Sequence, residues 1–491
     1  MSEHLPVLLV VVPLILAPLA ALVGRSSAAW VVAWAACWWA FGCAIGLLRR
    51  VLVEGPISYE LGGWAPPIGI EYRVDHVNAF VILIVAAIAA VVVPYARASI
   101  AKEVTEDRGA LFYAAFILCM TGLLGIAVTG DVFNVFVFLE ISSLSAYALI
   151  ALGADRRALT ASFQYLVMGS VGATFIVIGI GLMYVMTGTL NMTDLAERLP
   201  AVAGTRTIPV AFTFLTVGIT LKLALFPLHL WLPNAYTFAP SAVTAFIAST
   251  ATKVAVYMLL RFFFTVFGAA FSFEAMQLDM VLMPLALVAI LTMSTVAIYQ
   301  DNVKRLLAYS SVAQIGYMVL GISFASVLGV TAGILHLFNH ALMKGALFMA
   351  LGCVMYRVGS VRIERMAGLG RTMPWTMAAF VVAGLSLIGV PLTVGFVSKW
   401  YLVQAALERG MWPVAAVVLL GSLLAVVYVW RVVEVAYLGE AEHDAEVREA
   451  PLSMLVPTWA LVIANLWFGI DSTLTADVAT RAAQTLLGVG P

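Results

Sequence analysis

"GITLKLALFPLHLWLP" (residues 218–233) is an almost wholly apolar stretch that also contains groups unsuited to an apolar helix. It carries Lys222 and His229 together with Pro227 and Pro233. A proline inside a helix removes a backbone hydrogen bond and bends or breaks the helix. The stretch therefore predicts an interrupted helix with a cation beside the interruption.

The composition predicts that this helix belongs to a membrane protein. Of the 491 residues, 63% are hydrophobic and only 11% are charged, whereas soluble domains carry about 25% charged residues. Apolar runs of about 20 residues, long enough to cross the roughly 30 Å hydrocarbon core as helices, recur along the chain. A transmembrane β-barrel would instead show short alternating segments. We expect an all-α, polytopic protein embedded in the lipid bilayer.

The hydropathy pattern predicts about fourteen transmembrane helices in one membrane domain, residues 1–491, with no soluble catalytic domain. Its blocks are 1–100 with the first three helices, 109–266 and 279–437 with five helices each, and 452–472 with the last. The tract 439–450 is expected to be a solvated loop. The predicted spans are 4–23, 29–48, 74–96, 109–129, 132–153, 162–187, 208–230, 240–266, 279–298, 303–322, 328–356, 375–402, 411–437 and 452–472.

Charge and cysteine content exclude several classes of function. The net charge is zero, so no nucleic-acid partner is expected. The four cysteines lie in apolar runs without a CxxC motif, which favours packing over a metal site or a disulfide. No cofactor motif is present, so we predict neither a cofactor nor catalysis by this chain itself.

The ends of the chain and its loops give an expected orientation. No lysine or arginine precedes the first apolar run, so this run is expected to be a retained helix and not a signal peptide. Loops after odd-numbered spans carry the larger share of lysine and arginine. The positive-inside rule therefore puts these loops in the cytoplasm and both termini outside a cytoplasmic membrane.

Four of the six lysines, Lys222, Lys253, Lys344 and Lys399, fall inside predicted spans, while Lys102, Lys304 and the arginines lie in loops or near span ends. A charge at the bilayer centre costs about 2.5–3.5 kcal/mol on insertion scales, and such residues are functional candidates by default. Burial disfavours the charged form of lysine, which can release its proton, whereas arginine in practice cannot. The pattern predicts a proton relay. The alternative is that a lysine side chain extends its amino group to the membrane surface, and this applies most to Lys399.

Further titratable groups accompany these lysines. Glu140 lies about eight residues into its span, or roughly 12 Å deep at 1.5 Å per residue. His336, His340 and Lys344 are spaced four residues apart and so share one helix face. A purely structural neutralising glutamate and packing histidines are the alternatives. The HxxxH pair has Leu337, not glutamate, after its first histidine, so no metalloprotease or zinc site is predicted.

The prolines are expected to bring polar backbone to the lysines. Pro227 frees the carbonyl of Leu223, one residue from Lys222. Pro391 and Gly395 likewise interrupt the span that carries Lys399. Free backbone groups at membrane depth are tolerated where they line a cavity or are bonded by neighbours. Interrupted helices in opposite halves of a chain are typical of transporters built from repeats, although a simple proline kink is the alternative.

Several stretches resemble a known family across nearly the whole chain. They are "FLEISSLSAYALIA" (138–151), "LKLALFPLHLWLPNAYTFAPSAVTAFIASTATKVAVY" (221–257), "DNVKRLLAYSSVAQIGYM" (301–318) and "GFVSKWYL" (395–402). They resemble the antiporter-like membrane subunits shared by Mrp-type cation/proton antiporters, respiratory complex I and membrane-bound hydrogenases. "LGGWAPPIGIEYRVD" (61–75) and the chain length look most like the D-type member of the Mrp complex.

The resemblance implies two inverted five-helix repeats, spans 4–8 and 9–13, with the seventh and twelfth helices broken. By motif, Glu140 and Lys222 match the acid–lysine pair of the first half, Lys253 the connecting lysine, and Lys399 the terminal residue of the second half. The terminal residue is glutamate in some members. Lysine fits the Mrp D type and the most distal complex I subunit. That complex I subunit also has a long C-terminal lateral helix. Few residues follow span fourteen here, which argues against that subunit.

The expected function is that of a non-enzymatic, proton-translocating subunit of a multisubunit antiporter for Na⁺, or another monovalent cation, and H⁺. Other antiporter subunits would be its partners. The alternatives are a proton-pumping subunit of complex I or of a membrane-bound hydrogenase, and an unrelated solute permease or passive scaffold. The predicted proton-transfer residues are Glu140, Lys222, Lys253, His336, His340, Lys344 and Lys399, with helix breaks at Pro227 and Pro391.

Overall fold

A computed structural model describes residues 2–440 and 447–489, and these residues are almost entirely helical. Twelve helices among them are long and apolar enough to cross a membrane. The all-α membrane class is therefore confirmed. The predicted solvated loop 439–450 falls partly outside the described residues, and its described ends are not helical.

The first half of the chain contains ten helices, and α10 continues into two short π-helical segments, Arg261–Val266 and Ala270–Ala275. In chain order the helices are α1 (Leu5–Leu22), α2 (Ser26–Glu54), α3 (His76–Glu103), α4 (Gly109–Val128), α5 (Val132–Ala151), α6 (Arg157–Thr187), α7 (Met192–Val202), α8 (Thr207–Lys222), α9 (Trp231–Phe238) and α10 (Ser241–Leu260).

The second half contains nine helices within the described residues. In chain order they are α11 (Asp279–Ile298), α12 (Val303–Ser323), α13 (Val327–Val358), α14 (Leu369–Thr372), α15 (Pro374–Ile388), α16 (Val394–Glu408), α17 (Trp412–Leu438), α18 (Leu452–Ile470) and α19 (Thr473–Leu487).

The two spans predicted to be interrupted are each divided into two shorter helices. In the first, α8 ends at Lys222 and α9 begins at Trp231, with Pro227 between them. In the second, α15 ends at Ile388 and α16 begins at Val394, with Pro391 between them. Both breaks therefore lie where the prolines predict them. The inverted relation of the two five-helix repeats stays a prediction.

The core of the bundle is formed by the helices that carry most of the candidate residues. Almost all residues of α10, α12 and α13 are buried, and α13 packs against both α10 and α12. In contrast, α1, α6 and α17 expose large apolar side chains such as Ile15, Phe163 and Leu419. A water-soluble surface would not present such a pattern, whereas lipid tails are as apolar as these side chains. Four of the seven predicted proton-transfer residues, Lys253, His336, His340 and Lys344, thus lie in the best-shielded part of the molecule.

Four elements, two strands and two helices, were not predicted from the hydropathy pattern. Strands β1 (Ile57–Glu60) and β2 (Glu71–Val74) form an antiparallel pair between α2 and α3. Helix α7 occupies the predicted loop between α6 and α8. Helix α19 follows α18 and packs against α3 and α13. These elements are short or amphipathic, so none produces a long apolar run.

Candidate functional site

Lys222 is held at the first break by a hydroxyl group of α5. The side chain is 6% exposed, and its Nζ donates a hydrogen bond to Ser143 Oγ at 2.9 Å. A cavity of about 30 Å³ adjoins this lysine and is lined in part by Ser142, Ser143 and Tyr165. A cavity of this size has room for one water molecule. The amino group therefore has one fixed neutral partner and space for a mobile one.

Close packing of α6 shapes the surroundings of this amino group. A Cβ atom added at Gly169 would lie 1.8 Å from Tyr147 Oη and 3.4 Å from Lys222 Nζ. Only glycine therefore lets the tyrosine hydroxyl approach as it does. Tyr147 stands seven residues after Glu140 and four after Ser143, so the three side chains share one face of α5. This face lines the first candidate site.

Glu140 is half-buried and is not in direct contact with the lysine that it was expected to neutralise. In the described residues no ion pair within 4.0 Å joins Glu140 to any lysine. Ser143, one turn further along α5, takes the hydrogen bond from Lys222 instead. The structure thus brings the predicted acid and base to the same region and separates them by a hydroxyl group.

Lys253 and Lys344 lie at the centre of the bundle and bond only to neutral oxygens. Lys253 is fully buried on α10, where its Nζ donates to the Ala248 carbonyl and, at 3.3 Å, to Thr252 Oγ1. Lys344 on α13 donates to the Leu307 carbonyl at 2.8 Å and to the hydroxyl of a serine on α12, Ser310. Neither amino group reaches the membrane surface.

The two predicted histidines of α13 stack on one another and differ in their partners. Their ring centroids are 6.2 Å apart and the planes are nearly parallel, which confirms that His336 and His340 share a helix face. His336 bonds to Gln314 Oε1 of α12 and Ser398 Oγ of α16, both at 2.9 Å. Neither ring nitrogen of the fully buried His340 has a hydrogen-bond partner in the described structure. Buried polar atoms of this kind are usually satisfied by ordered water.

Lys399 is bound by the end of the preceding half-helix. Its Nζ donates to the carbonyls of Leu387 at 3.0 Å and Ile388 at 2.8 Å, and to Ser422 Oγ at 2.9 Å. Both carbonyls belong to the last turn of α15, where the helix ends at the break. The Tyr317 ring centroid lies 5.0 Å from the same amino group. This lysine is buried between helices and does not extend to the surface of the protein.

The break is fixed to the central helix by further polar contacts. Asn339 Nδ2 of α13 donates to the Val394 carbonyl at 2.6 Å. Val394 lies on α16 one turn before Ser398, which contacts His336. Gly389 has φ +94°, a conformation suited to glycine. A Cβ at Gly395 would lie 1.8 Å from the Ser386 carbonyl oxygen. The first turn of α16 therefore packs directly on the backbone of α15.

Two buried basic residues were not identified from the sequence. Lys304, expected in a loop or near a span end, is 2% exposed at the start of α12 and donates to the Ala239 carbonyl at 3.2 Å. Arg261 forms a buried ion pair with Asp75, using two nitrogens at 2.8 and 2.9 Å. A lysine or arginine at a span end usually reaches water, so its position alone gave no signal.

The partners of the lysines were also missed, because serine and threonine are common in apolar helices and often bond to their own backbone. Thr250, for example, donates to the Phe246 carbonyl at 2.7 Å. No group of three or more His, Cys, Asp or Glu side chains in the described residues is placed to bind a metal ion. The arrangement can hold and exchange protons on nitrogen, with hydroxyls and carbonyls as neutral partners.

The fold and this site define a polytopic helical membrane protein with two interrupted helices and a set of buried amino and imidazole groups. The family described as "NADH:quinone oxidoreductase/Mrp antiporter, TM" matches residues 129–425, and the chain belongs to that family. The matched region includes both breaks and every predicted proton-transfer residue. The family resemblance inferred from the sequence motifs is therefore confirmed.

Relatives within the family are named either as subunits of a redox complex or as subunits of an antiporter. The chain is 42% identical to NADH-quinone oxidoreductase subunit N of Desulforudis audaxviator, covering 96% of each chain. It is 29% identical to the D-type Na⁺/H⁺ antiporter subunit of Bacillus subtilis, covering 90% of this chain and 88% of that one. A chain of the solved Mrp complex from a Dietzia species matches with a TM-score of 0.90 and 26% identity, over 99% and 97% of the two chains. The structural match is thus to a member of a multisubunit membrane complex.

Proposed function

We propose that the chain is the proton-translocating subunit of a multisubunit antiporter that exchanges Na⁺, or another monovalent cation, for H⁺ across the cytoplasmic membrane. The relative named as a D-type subunit of an Na⁺/H⁺ antiporter and the match to the Mrp complex support this class of function. The proposal concerns proton movement through this chain, and the cation is assigned to the complex as a whole.

One observation carries the proposal: the four lysines of the spans donate only to neutral oxygens. Their partners are hydroxyls and backbone carbonyls, and no carboxylate lies within 4.0 Å of them in the described structure. Arg261 differs, because its ion pair with Asp75 stabilises the charged form. A hydroxyl or carbonyl can accept from an ammonium group and from a neutral amine alike. These lysines are thus suited to changing protonation state.

The order of the groups gives a route across the two halves. Glu140 and Lys222 stand at the first break, and Lys253 lies on the central helix α10. The route continues through the polar face of α13 and ends at Lys399, beside the second break. Its middle section consists of His340, Lys344 and His336.

The same proposal assigns the chain a non-enzymatic role, because its groups bind and move protons without forming another bond. Partner antiporter subunits complete the complex. The expected orientation keeps both termini on the outer side of the membrane. The five-helix blocks 109–266 and 279–437 act as the two repeats, each with one broken helix.

The test is proton exchange driven by an Na⁺ gradient in everted membrane vesicles that carry the complete complex. Lys222→Ala and Glu140→Ala are each expected to slow exchange about 100-fold, the range that a positioned proton-transfer group provides. Lys102→Ala and Glu197→Ala remove exposed residues of the same types and should leave the exchange rate within about twofold. Normal exchange in both site variants, with the complex assembled, would contradict the proposal.

A second candidate function is proton pumping within a redox complex, and the 42% identical relative named as part of NADH-quinone oxidoreductase favours it. The discriminating measurement is purification of the native complex through a tag on this chain. Antiporter function predicts small membrane subunits and Na⁺-dependent proton exchange. The redox alternative predicts iron–sulfur subunits and proton movement that depends on quinone reduction.

A further inference from the structure

His336 is held by one side chain on each ring nitrogen, unlike its neighbour His340. Its Nε2 lies 2.9 Å from Gln314 Oε1, and its Nδ1 lies 2.9 Å from Ser398 Oγ. All three residues are buried, and each belongs to a different helix: α12, α13 and α16. The ring orientation is therefore fixed from both sides.

The chemistry of these partners determines which nitrogen of the neutral ring carries the hydrogen. With the Gln314 amide oxygen toward the ring, Nε2 is the donor, because an amide oxygen can only accept a hydrogen bond. A neutral imidazole has a single N–H, and Nδ1 is then an acceptor for the Ser398 hydroxyl. The nitrogen of His336 that can gain a proton consequently faces α16, at the residue next to Lys399.

Ser398 can also support the protonated ring. Its Oγ lies 3.5 Å from the Gly395 carbonyl oxygen, longer than an ordinary hydroxyl hydrogen bond. With a neutral ring, the hydroxyl hydrogen is better placed on Nδ1. When Nδ1 gains a proton, the hydroxyl can rotate, accept from Nδ1–H and donate to the Gly395 carbonyl. Rotation of one hydroxyl group thus accommodates both states of the histidine.

We propose that Gln314 and Ser398 are positioning residues that hold His336 with its proton-accepting nitrogen toward the second break, beside Lys399. This inference rests on the proposed function and extends it to residues outside the set of titratable groups. The Gln314 amide oxygen is not a proton carrier at neutral pH. A proton taken up at Nδ1 therefore returns by the same side unless the ring turns away from Gln314, so the pair controls passage between Lys399 and His340.

If Ser398 served only in helix packing, its effect would depend on the volume of the side chain and not on its hydroxyl group. Ser398→Ala and Ser398→Thr separate the two roles, because threonine keeps the hydroxyl and adds volume. Loss of one hydrogen bond to a group that becomes charged is expected to slow exchange about tenfold in Ser398→Ala. Ser398→Thr should stay within about twofold of the unmodified complex. Ser323→Ala is the matched control, since Ser323 is also buried but donates to its own helix, at the Leu320 carbonyl.

A spectroscopic measurement tests the tautomer independently of transport. The complete complex is prepared with ¹⁵N-labelled histidine in this chain, and His336→Asn assigns the ring signals. We expect neutral His336 to carry its hydrogen on Nε2, and Gln314→Leu to give a mixture of tautomers. This readout also decides the matter if Ser398→Ala fails to assemble.

Two results would overturn the inference: a neutral His336 with its hydrogen on Nδ1, or an assembled Ser398→Ala complex with unchanged exchange. If Lys222→Ala and Glu140→Ala still abolish exchange in that case, the proposed function stands and only the positioning role is lost. If all of these variants exchange protons normally, the proposed function itself is contradicted.

Discussion

The two broken helices hold their lysines in different ways. Lys222 lies in the last turn before the first break and reaches across to Ser143, on the helix that also carries Glu140. Lys399 lies after the second break and reaches back to the Leu387 and Ile388 carbonyls. The first lysine has a carboxylate on the neighbouring helix, whereas the second has the carbonyl end of a half-helix.

This difference shows how a chain with four lysines and one glutamate among its predicted proton-transfer residues can tolerate the imbalance. The C-terminal end of a helix carries a partial negative charge from its unpaired carbonyls. At the second break this partial charge faces Lys399 directly, so a cation there can be stabilised without a carboxylate. The first break relies on a hydroxyl contact and on Glu140 at a greater distance.

The largest expected loss of proton exchange follows when either lysine is replaced by a residue that cannot release its proton. Lys222→Arg and Lys399→Arg keep a positive charge, but arginine does not lose its proton in proteins. Each change is expected to slow proton exchange about 100-fold, with Lys102→Arg, on the surface, as the control. Exchange at the normal rate in Lys399→Arg would mean that the second break only needs a fixed cation, and the comparison between the breaks would change.

Glycine packing at the two breaks should differ in its tolerance of a methyl group. At Gly395 the added carbon meets the backbone of α15, which cannot move aside, and we expect a loss of about 2–3 kcal/mol in unfolding free energy. At Gly169 it meets the tip of Tyr147, which can turn away, for about 1 kcal/mol. Gly181→Ala on α6 is the control, because its Cβ would contact nothing within 4 Å.

Denaturation of the purified complex in detergent measures these losses. A Gly169→Ala complex less stable than the Gly395→Ala complex would contradict the expectation that the backbone contact at Gly395 tolerates an added methyl group less well.

The smallest expected effects on proton exchange concern the serine hydroxyls that bond to the two lysines. Ser143 is the one hydrogen-bond partner of Lys222 Nζ within the described residues, so Ser143→Ala is expected to slow exchange about tenfold. Ser422 is one of three partners of Lys399, and Ser422→Ala should slow exchange only about twofold. Proton exchange in vesicles measures both, and equal effects would show that the carbonyls of α15 do not compensate.

Much of the fold follows from the sequence because membrane spans produce long apolar runs. The prolines also mark the breaks, since Pro227 and Pro391 lie between the half-helices of each divided span. Helix α7 was missed although a signal exists: Asn191 caps it, and Leu195 and Leu199 follow at helical spacing. A hydropathy window averages over such short amphipathic segments.

The candidate site was predictable in its titratable residues and not in their partners. A lysine deep in an apolar run is conspicuous, but the sequence does not say which of many serines faces it. Ser143, for example, stands beside Ser142, which donates to its own helix at the Leu139 carbonyl, and the sequence does not distinguish the two. The buried state of Lys304 depends on the Ala239 carbonyl of a distant helix end. Tertiary packing decides these contacts.

The most direct test of proton transfer on these lysines is ¹⁵N nuclear magnetic resonance of the lysine amino groups in the complete complex. Labelled lysine in this chain, with single Lys→Arg variants for assignment, reports the state of each Nζ as the pH is changed. We expect Lys222 and Lys399 to show both the ammonium form and the neutral amine form within the pH range in which the complex exchanges protons. Amino groups that stay fully charged throughout that range would contradict proton transfer by these residues.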